Sequence, residues 1–207
     1  RCEVKASNAG HLLFTGLPMP ERGKTVARQF LTNIFNNGWG VRTLETGAVR
    51  FNPMSYHNGS VWPHDVALCA AGMARYGEYT GVVRVLSGMF EAATFFGMRL
   101  PELFCGFKRG PGEAPVAYPV ACLPQAWAAG SIFMLLQACL GISIDAADCR
   151  VIIRQPRLPI GIDRLEVRTL QINEHSVDLG FQRIGDRVAV YIERQDGPSL
   201  IRLDVKL

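Results

Sequence analysis

Two short stretches of this 207-residue chain gather side chains that can do chemistry. Residues 55–65, SYHNGSVWPHD, bring Tyr56, His57, Asn58, Trp62, His64 and Asp65 together just before a run of small apolar residues. Residues 99–108, RLPELFCGFK, place Glu102 between Pro101 and Leu103, with Arg99 and Lys108 on either side. A carboxylate on a long loop has no partner one helical turn away, so it is free to hold a water as a general base, or simply to face solvent. Other chemistries fit poorly. His57, His64, Asp65 and Cys69 lack zinc-ligand spacing, so no metal is expected. Cys105 has no His with an orienting third group in view, and no glycine-rich loop follows a strand to cradle a phosphate.

The elements that must hold these residues follow from periodicity. In 21–36, ERGKTVARQFLTNIFN, Val26, Phe30, Leu31 and Ile34 share a face opposite Lys24, Arg28 and Thr32, which predicts a one-sided helix. From Pro63, a residue suited to a first turn, PHDVALCAAGMARYG is small or apolar nearly all round and predicts a covered helix. Residues 81–97 return to the one-sided pattern, and 124–140, PQAWAAGSIFMLLQACL, are again apolar throughout. The order reads outer, inner, outer, inner. Two connections, 37–62 and 98–123, are longer than ordinary loops and lead into the inner helices, so they should meet on one face. Beyond Gly141, RVIIRQPRLP, RLEVRTLQI, SVDLGFQRIG, RVAVYIERQDG and SLIRLDVKL alternate apolar and polar residues between turn formers, predicting a small antiparallel sheet.

An apolar content of 48% against 19% charged residues argues for a buried core rather than disorder. The formal charge of +4 is spread over scattered arginines, which gives no footprint for nucleic acid or an anionic membrane. Cys2, Cys69, Cys105, Cys122, Cys139 and Cys149 form no CxxC pair, and most sit in apolar surroundings. That pattern predicts a reducing, cytoplasmic setting, in which the Asn58-Gly59-Ser60 sequon would be a chance match. No charged start leads into an apolar stretch and no eighteen apolar residues run uninterrupted, so neither a signal peptide nor a membrane span is expected. The chain opens without Met on structured-looking sequence, as a fragment would.

Alternating inner and outer helices with long loops at the inner N-termini resemble an α/α toroid. Four motifs narrow the resemblance: SNAGHLLFTGL (7–17), GWGVRTLETGAVRFNPMSYHNGS (38–60), YHNGSVWPHDVALCAAGMARYG (56–77) and RLPELFCGFKRGPGEAPVAYPVACLPQAWAAGSIFMLLQACLG (99–141). They resemble the C-terminal part of bacterial glycogen-debranching-type amylo-α-1,6-glucosidases, of the six-hairpin glycosidase group. The resemblance implies a mainly α chain. Residues 1–145 would form the C-terminal portion of an (α/α)6 toroid, and 146–207 a small antiparallel β appendage. It further implies inverting hydrolysis of α-glucosidic linkages, at α-1,6 branch points of glycogen-like glucans, with Glu102 as general base and no cofactor.

An inverting glycosidase needs a second carboxyl about 6.5–9.5 Å away to protonate the leaving oxygen. In the resembled families it lies upstream, so the expected partners are an α-glucan and a missing N-terminal part of the same protein. Asp65 is the local substitute, or else a cap at the favourable end of a helix dipole, or a hydroxyl ligand. Sugars present flat apolar faces edged by hydroxyls and call for a ring beside groups that donate and accept. Trp62 fits the platform, Tyr56, His57, Asn58 and His64 fit hydroxyl partners, and Trp39 with Arg42 fits an adjacent wall. Gln125 and Trp127 fit the mouth of the last helix. A structural reading stays open for the same residues: Trp62 in the core, His57 and His64 as hydrogen-bonded imidazoles, Trp127 between helices, Glu102 toward solvent. So do other functions on this fold: a glucoamylase-like or small-glycoside hydrolase, a carbohydrate-binding remnant without turnover, or a helical scaffold for protein partners.

Overall fold

A glycine in a left-handed conformation stops the first helix early. α1 (Asn8–Thr15) ends at Gly16, whose φ of 76° few side chains would tolerate. The computed structural model describes residues 3–206, so Cys2 and the final Leu207 of the last alternating run lie outside it. α2 (Pro20–Gln29), α3 (Pro63–Arg75), α4 (Tyr79–Phe95) and α5 (Ala126–Leu140) follow, with proline in the first turn of α2 and α3. The chain divides into two compact units, Arg1–Leu136 and Gln137–Leu207.

In the first unit α3 is the central helix, with α1, α2 and α4 packed against it. Its small-residue composition makes this possible. A Cβ at Gly72 would run into Leu13 and the Phe14 amide, and one at Gly10 into Cys69, so α1 and α3 approach nearly backbone to backbone. Val66, Ala67, Cys69, Ala70 and Met73 of α3 are buried, as the all-round apolar pattern predicts. α4 buries Val82, Val85, Leu86, Met89 and Ala93, while Glu91 stays outside. The one-sided helix expected over 21–36 stops at Gln29, and the following residues turn so that Phe30 and Phe35 pack edge to face at 5.1 Å. The covered helix expected over 124–140 is also corrected: α5 leaves Trp127 46% and Phe133 75% exposed.

The second unit has two sheets. β1 (Ile142–Asp145) pairs antiparallel with β2 (Arg150–Arg154), and β2 pairs parallel with β6 (Arg202–Lys206). β3 (Arg164–Ile172), β4 (His175–Ile184) and β5 (Arg187–Asp196) form an antiparallel meander. Val151, Ile153, Val177, Leu179, Phe181 and Val188 are among its buried core. A single antiparallel appendage is therefore replaced by two sheets, one with a parallel pair.

The expected fold class is overturned. Among the described residues 31% are helix and 25% strand, with five helices and two small sheets, so the chain is not mainly α and not a portion of a toroid. Helical periodicity identifies which face of each helix is apolar but not how many helices share a core. Here one short core built around α3 uses those faces.

Candidate active site

The two long loops do meet, through single β-bridges rather than regular strands. Val61 bridges Arg42 on one side and Phe104 on the other, and Phe104 bridges Ala117. Val61 and Phe104 exchange both main-chain hydrogen bonds, at 2.9 and 3.0 Å. The contact is close because two glycines face each other: a Cβ at Gly106 would overlap the Gly59 carbonyl oxygen. Glu102, two residues before Phe104, is thereby brought to the 55–65 stretch.

There Tyr56 donates its hydroxyl to Glu102 Oε1 at 2.6 Å, and the Cys122 amide donates to Glu102 Oε2 at 3.4 Å. The Glu102 amide in turn donates to the Cys122 carbonyl, fixing the loop beneath the carboxylate. The neighbouring carboxylate pushes the Tyr56 phenol up to about 12, because ionising it would break that bond and set two anions together. Arg99 and Lys108 do not pair with Glu102; its partners are Tyr56 and Cys122.

Aromatic rings extend from this pair. Tyr56 meets Trp62 and His57 edge-on at 4.8 Å each and Tyr118 at 5.6 Å. Trp62 also stacks with His57 at 6.1 Å and contacts His64 and Trp127, while His64 stacks on Trp127 at 4.2 Å. Trp62 is buried, its indole N–H donating to the Tyr56 carbonyl and the Ser60 hydroxyl, so it anchors the stretch more than it offers a free face. His57 and Trp127 are exposed at the rim. His64 is half-buried, and burial lowers its pKa, partly countered by Asp65 and Glu102. Asn58 is half-buried, with its main chain tied to Ser55 and Asn52, and Gln125 is half-buried in the turn before α5.

Three expected site residues have partners other than Glu102. Arg42 is buried and donates to the main-chain carbonyls of Gly106, Asn33 and Phe35 at 2.6, 3.1 and 3.4 Å, with Phe51 against its guanidinium. It holds the loops together rather than lining a wall. Trp39 is buried under the Arg109 guanidinium, 4.0 Å from its ring centroid, and beside Phe95. Asp65 is buried in the first turn of α3, with Oδ1 accepting from His11 Nε2 at 2.6 Å and Oδ2 enclosed without a partner. No oxygen of Asp65 is both unbonded and open to solvent, which suits a link between α1 and α3 better than a proton donor.

Sequence reasoning passed over His11 and Tyr118. The bond to Asp65 raises the pKa of His11 in spite of partial burial, so the imidazole tends toward its charged form. His11 falls in a short helix that local patterning did not mark, and Tyr118 falls in a loop with no spacing signal. Among the described residues no group of His, Cys, Asp and Glu is arranged to hold a metal ion, and no helix is long and apolar enough to cross a membrane. Cys69, Cys105, Cys122, Cys139 and Cys149 are free thiols.

A carboxylate with one oxygen anchored, bordered by aromatic rings and imidazoles, has the chemistry to accept a proton from water and the flat surfaces to meet an apolar ligand face. The sequence agrees at the level of class: its first half is similar to glycoside hydrolases, which supports an enzyme of that kind acting on a glycosidic bond. More narrowly, residues 6–97 match the family described as the mannosylglycerate hydrolase MGH1-like glycoside hydrolase domain, a description that does not name glycogen debranching. The match spans less than half of the chain and includes Tyr56 to Asp65 but not Glu102. No curated protein matches the chain significantly.

Proposed function

We propose that this chain hydrolyses an α-glycosidic bond by single displacement with inversion, with Glu102 as the general base. The observation that carries the reading is the Glu102 carboxylate, held by Tyr56 at 2.6 Å at the edge of the ring cluster of Tyr56, Trp62, His64, Tyr118 and Trp127. A base of this kind takes a proton from water while the water oxygen attacks the anomeric carbon. Trp127 and His57, exposed at the rim, receive the sugar face, and His64 and Asn58 its hydroxyls. The proton donor is a second carboxyl from elsewhere in the enzyme, since Asp65 is committed to His11. The substrate is an α-glucan with α-1,6 branch points, met in a cytoplasmic setting. A second reading, favoured by the description of the matched family, is a small glycoside in which the sugar is joined to a compact acid.

Glycosyl fluorides test this reading, because fluoride departs without a proton and the base alone limits the reaction. The chain is mixed with α-glucosyl and α-mannosyl fluoride, and fluoride and the first-formed anomer are followed by NMR. Release of the β-sugar, lost by about 10²-fold or more in Glu102→Gln, is expected. The faster fluoride identifies the sugar. An α-sugar product, or undiminished turnover in the variant, would overturn the assignment.

A further inference from the structure

The two oxygens of Glu102 are held unequally. Oε1 accepts a 2.6 Å bond from the Tyr56 hydroxyl, whereas Oε2 meets, among the described residues, only the Cys122 amide, at 3.4 Å. The shorter bond is of the charge-assisted kind, and the longer one is near the limit of a hydrogen bond. Tyr56 is itself fixed on several sides: Trp62, His57 and Tyr118 meet its ring, and its carbonyl accepts from the Trp62 indole and the Ser60 hydroxyl. A side chain braced in this way is placed for the carboxylate and not for an incoming ligand.

We propose that Tyr56 is the positioning residue of Glu102: it pins Oε1 and leaves Oε2 as the oxygen that takes the proton of the attacking water. The inference rests on Glu102 being the base. In the step, the water oxygen bonds to the anomeric carbon and one water proton passes to Oε2. The glycosidic C–O bond breaks with its electron pair on the departing oxygen, which the second carboxyl protonates. Around the Tyr56–Glu102 pair stand Tyr118, whose ring meets that of Tyr56, and Cys122, whose amide meets Glu102, with His64 further off. Tyr56 remains a phenol, and so a donor, across the range in which a glycosidase works.

The test is Tyr56→Phe, which keeps the ring and its packing and removes only the donor. Loss of the hydrogen bond should free Oε1 and leave the carboxylate poorly aimed at the water, which a split between kcat and KM reads. On the glycosyl fluoride kcat should fall roughly tenfold with KM little changed. A reciprocal reading uses Glu102→Gln, in which the Tyr56 phenol should fall from about 12 toward its ordinary value of 10.0. An unchanged kcat in Tyr56→Phe, or a rise in KM alone, would overturn the proposal and return Tyr56 to a sugar contact. Fluoride release that survives Glu102→Gln would instead remove the base itself, so the two failures are distinguishable.

Discussion

Replacing Arg42 with Ala removes a guanidinium that ties three stretches of main chain together. Of the carbonyls it serves, that of Phe35 also accepts the Arg42 amide and stays satisfied, and Asn33 is exposed enough for water to substitute. The Gly106 carbonyl, at 2.6 Å, has the guanidinium as its partner and sits in a buried residue. Orphaning it costs about 1–3 kcal/mol. The buried aliphatic stem adds roughly 2 kcal/mol at about 0.8 kcal/mol per methylene. Relief of the burial that lowers the Arg42 pKa offsets part of this, which leaves about 3 kcal/mol of destabilisation. The three tryptophans, Trp39, Trp62 and Trp127, all fall in the first unit, so urea unfolding followed by tryptophan fluorescence reads that unit alone. The midpoint should drop by about 1.5 M for a slope of about 2 kcal/mol/M. Arg42→Lys, which keeps charge and stem but loses the fork, should lose about half as much. An Arg42→Ala chain with wild-type stability and weakened sugar affinity would refute this account and make Arg42 a ligand contact.

Two histidines should give the first unit a stability maximum near pH 6.5. The folded-state pKa of His11 is raised above 6.5, so its contribution is complete below that value and is lost as pH rises through the folded pKa. That of His64 is lowered, so its neutral form is favoured and stability falls as pH drops below 6.5. Urea midpoints between pH 5 and 8.5 test both; His11→Asn should flatten the alkaline side only. Gly106→Ala drives a Cβ into the Gly59 carbonyl and should cost about 3 kcal/mol or more, with loss of the Glu102–Tyr56 contact. Gly130→Ala, in α5 with open space around it, should stabilise by about 0.5–1 kcal/mol. Thermal melts distinguish the two, and equal effects would undo the steric argument.

What the sequence by itself determined is local. Pro63 and the small apolar run after it mark α3 to within a few residues, the one-sided pattern marks α4, and alternation marks five of the six strands. Excess length marks 37–62 and 98–123 as loops with work to do, and their meeting face follows from both leading into helix N-termini. Tertiary structure decided the rest, because the deciding contacts join residues far apart in the chain. β2 and β6 pair in parallel across a long separation that alternation cannot register. α1 exists because Gly10 and Gly72 let it settle on α3, and α2 stops because Phe30 turns to meet Phe35. Residue type suggested Arg42, Trp39 and Asp65 for a ligand; the tertiary structure sets them, buried, against Gly106, Arg109 and His11. The Tyr56–Glu102 bond spans 46 residues, and it forms only after Gly59 and Gly106 allow two irregular loops to touch. No local pattern encodes that approach, because it depends on the absence of side chains at two distant points.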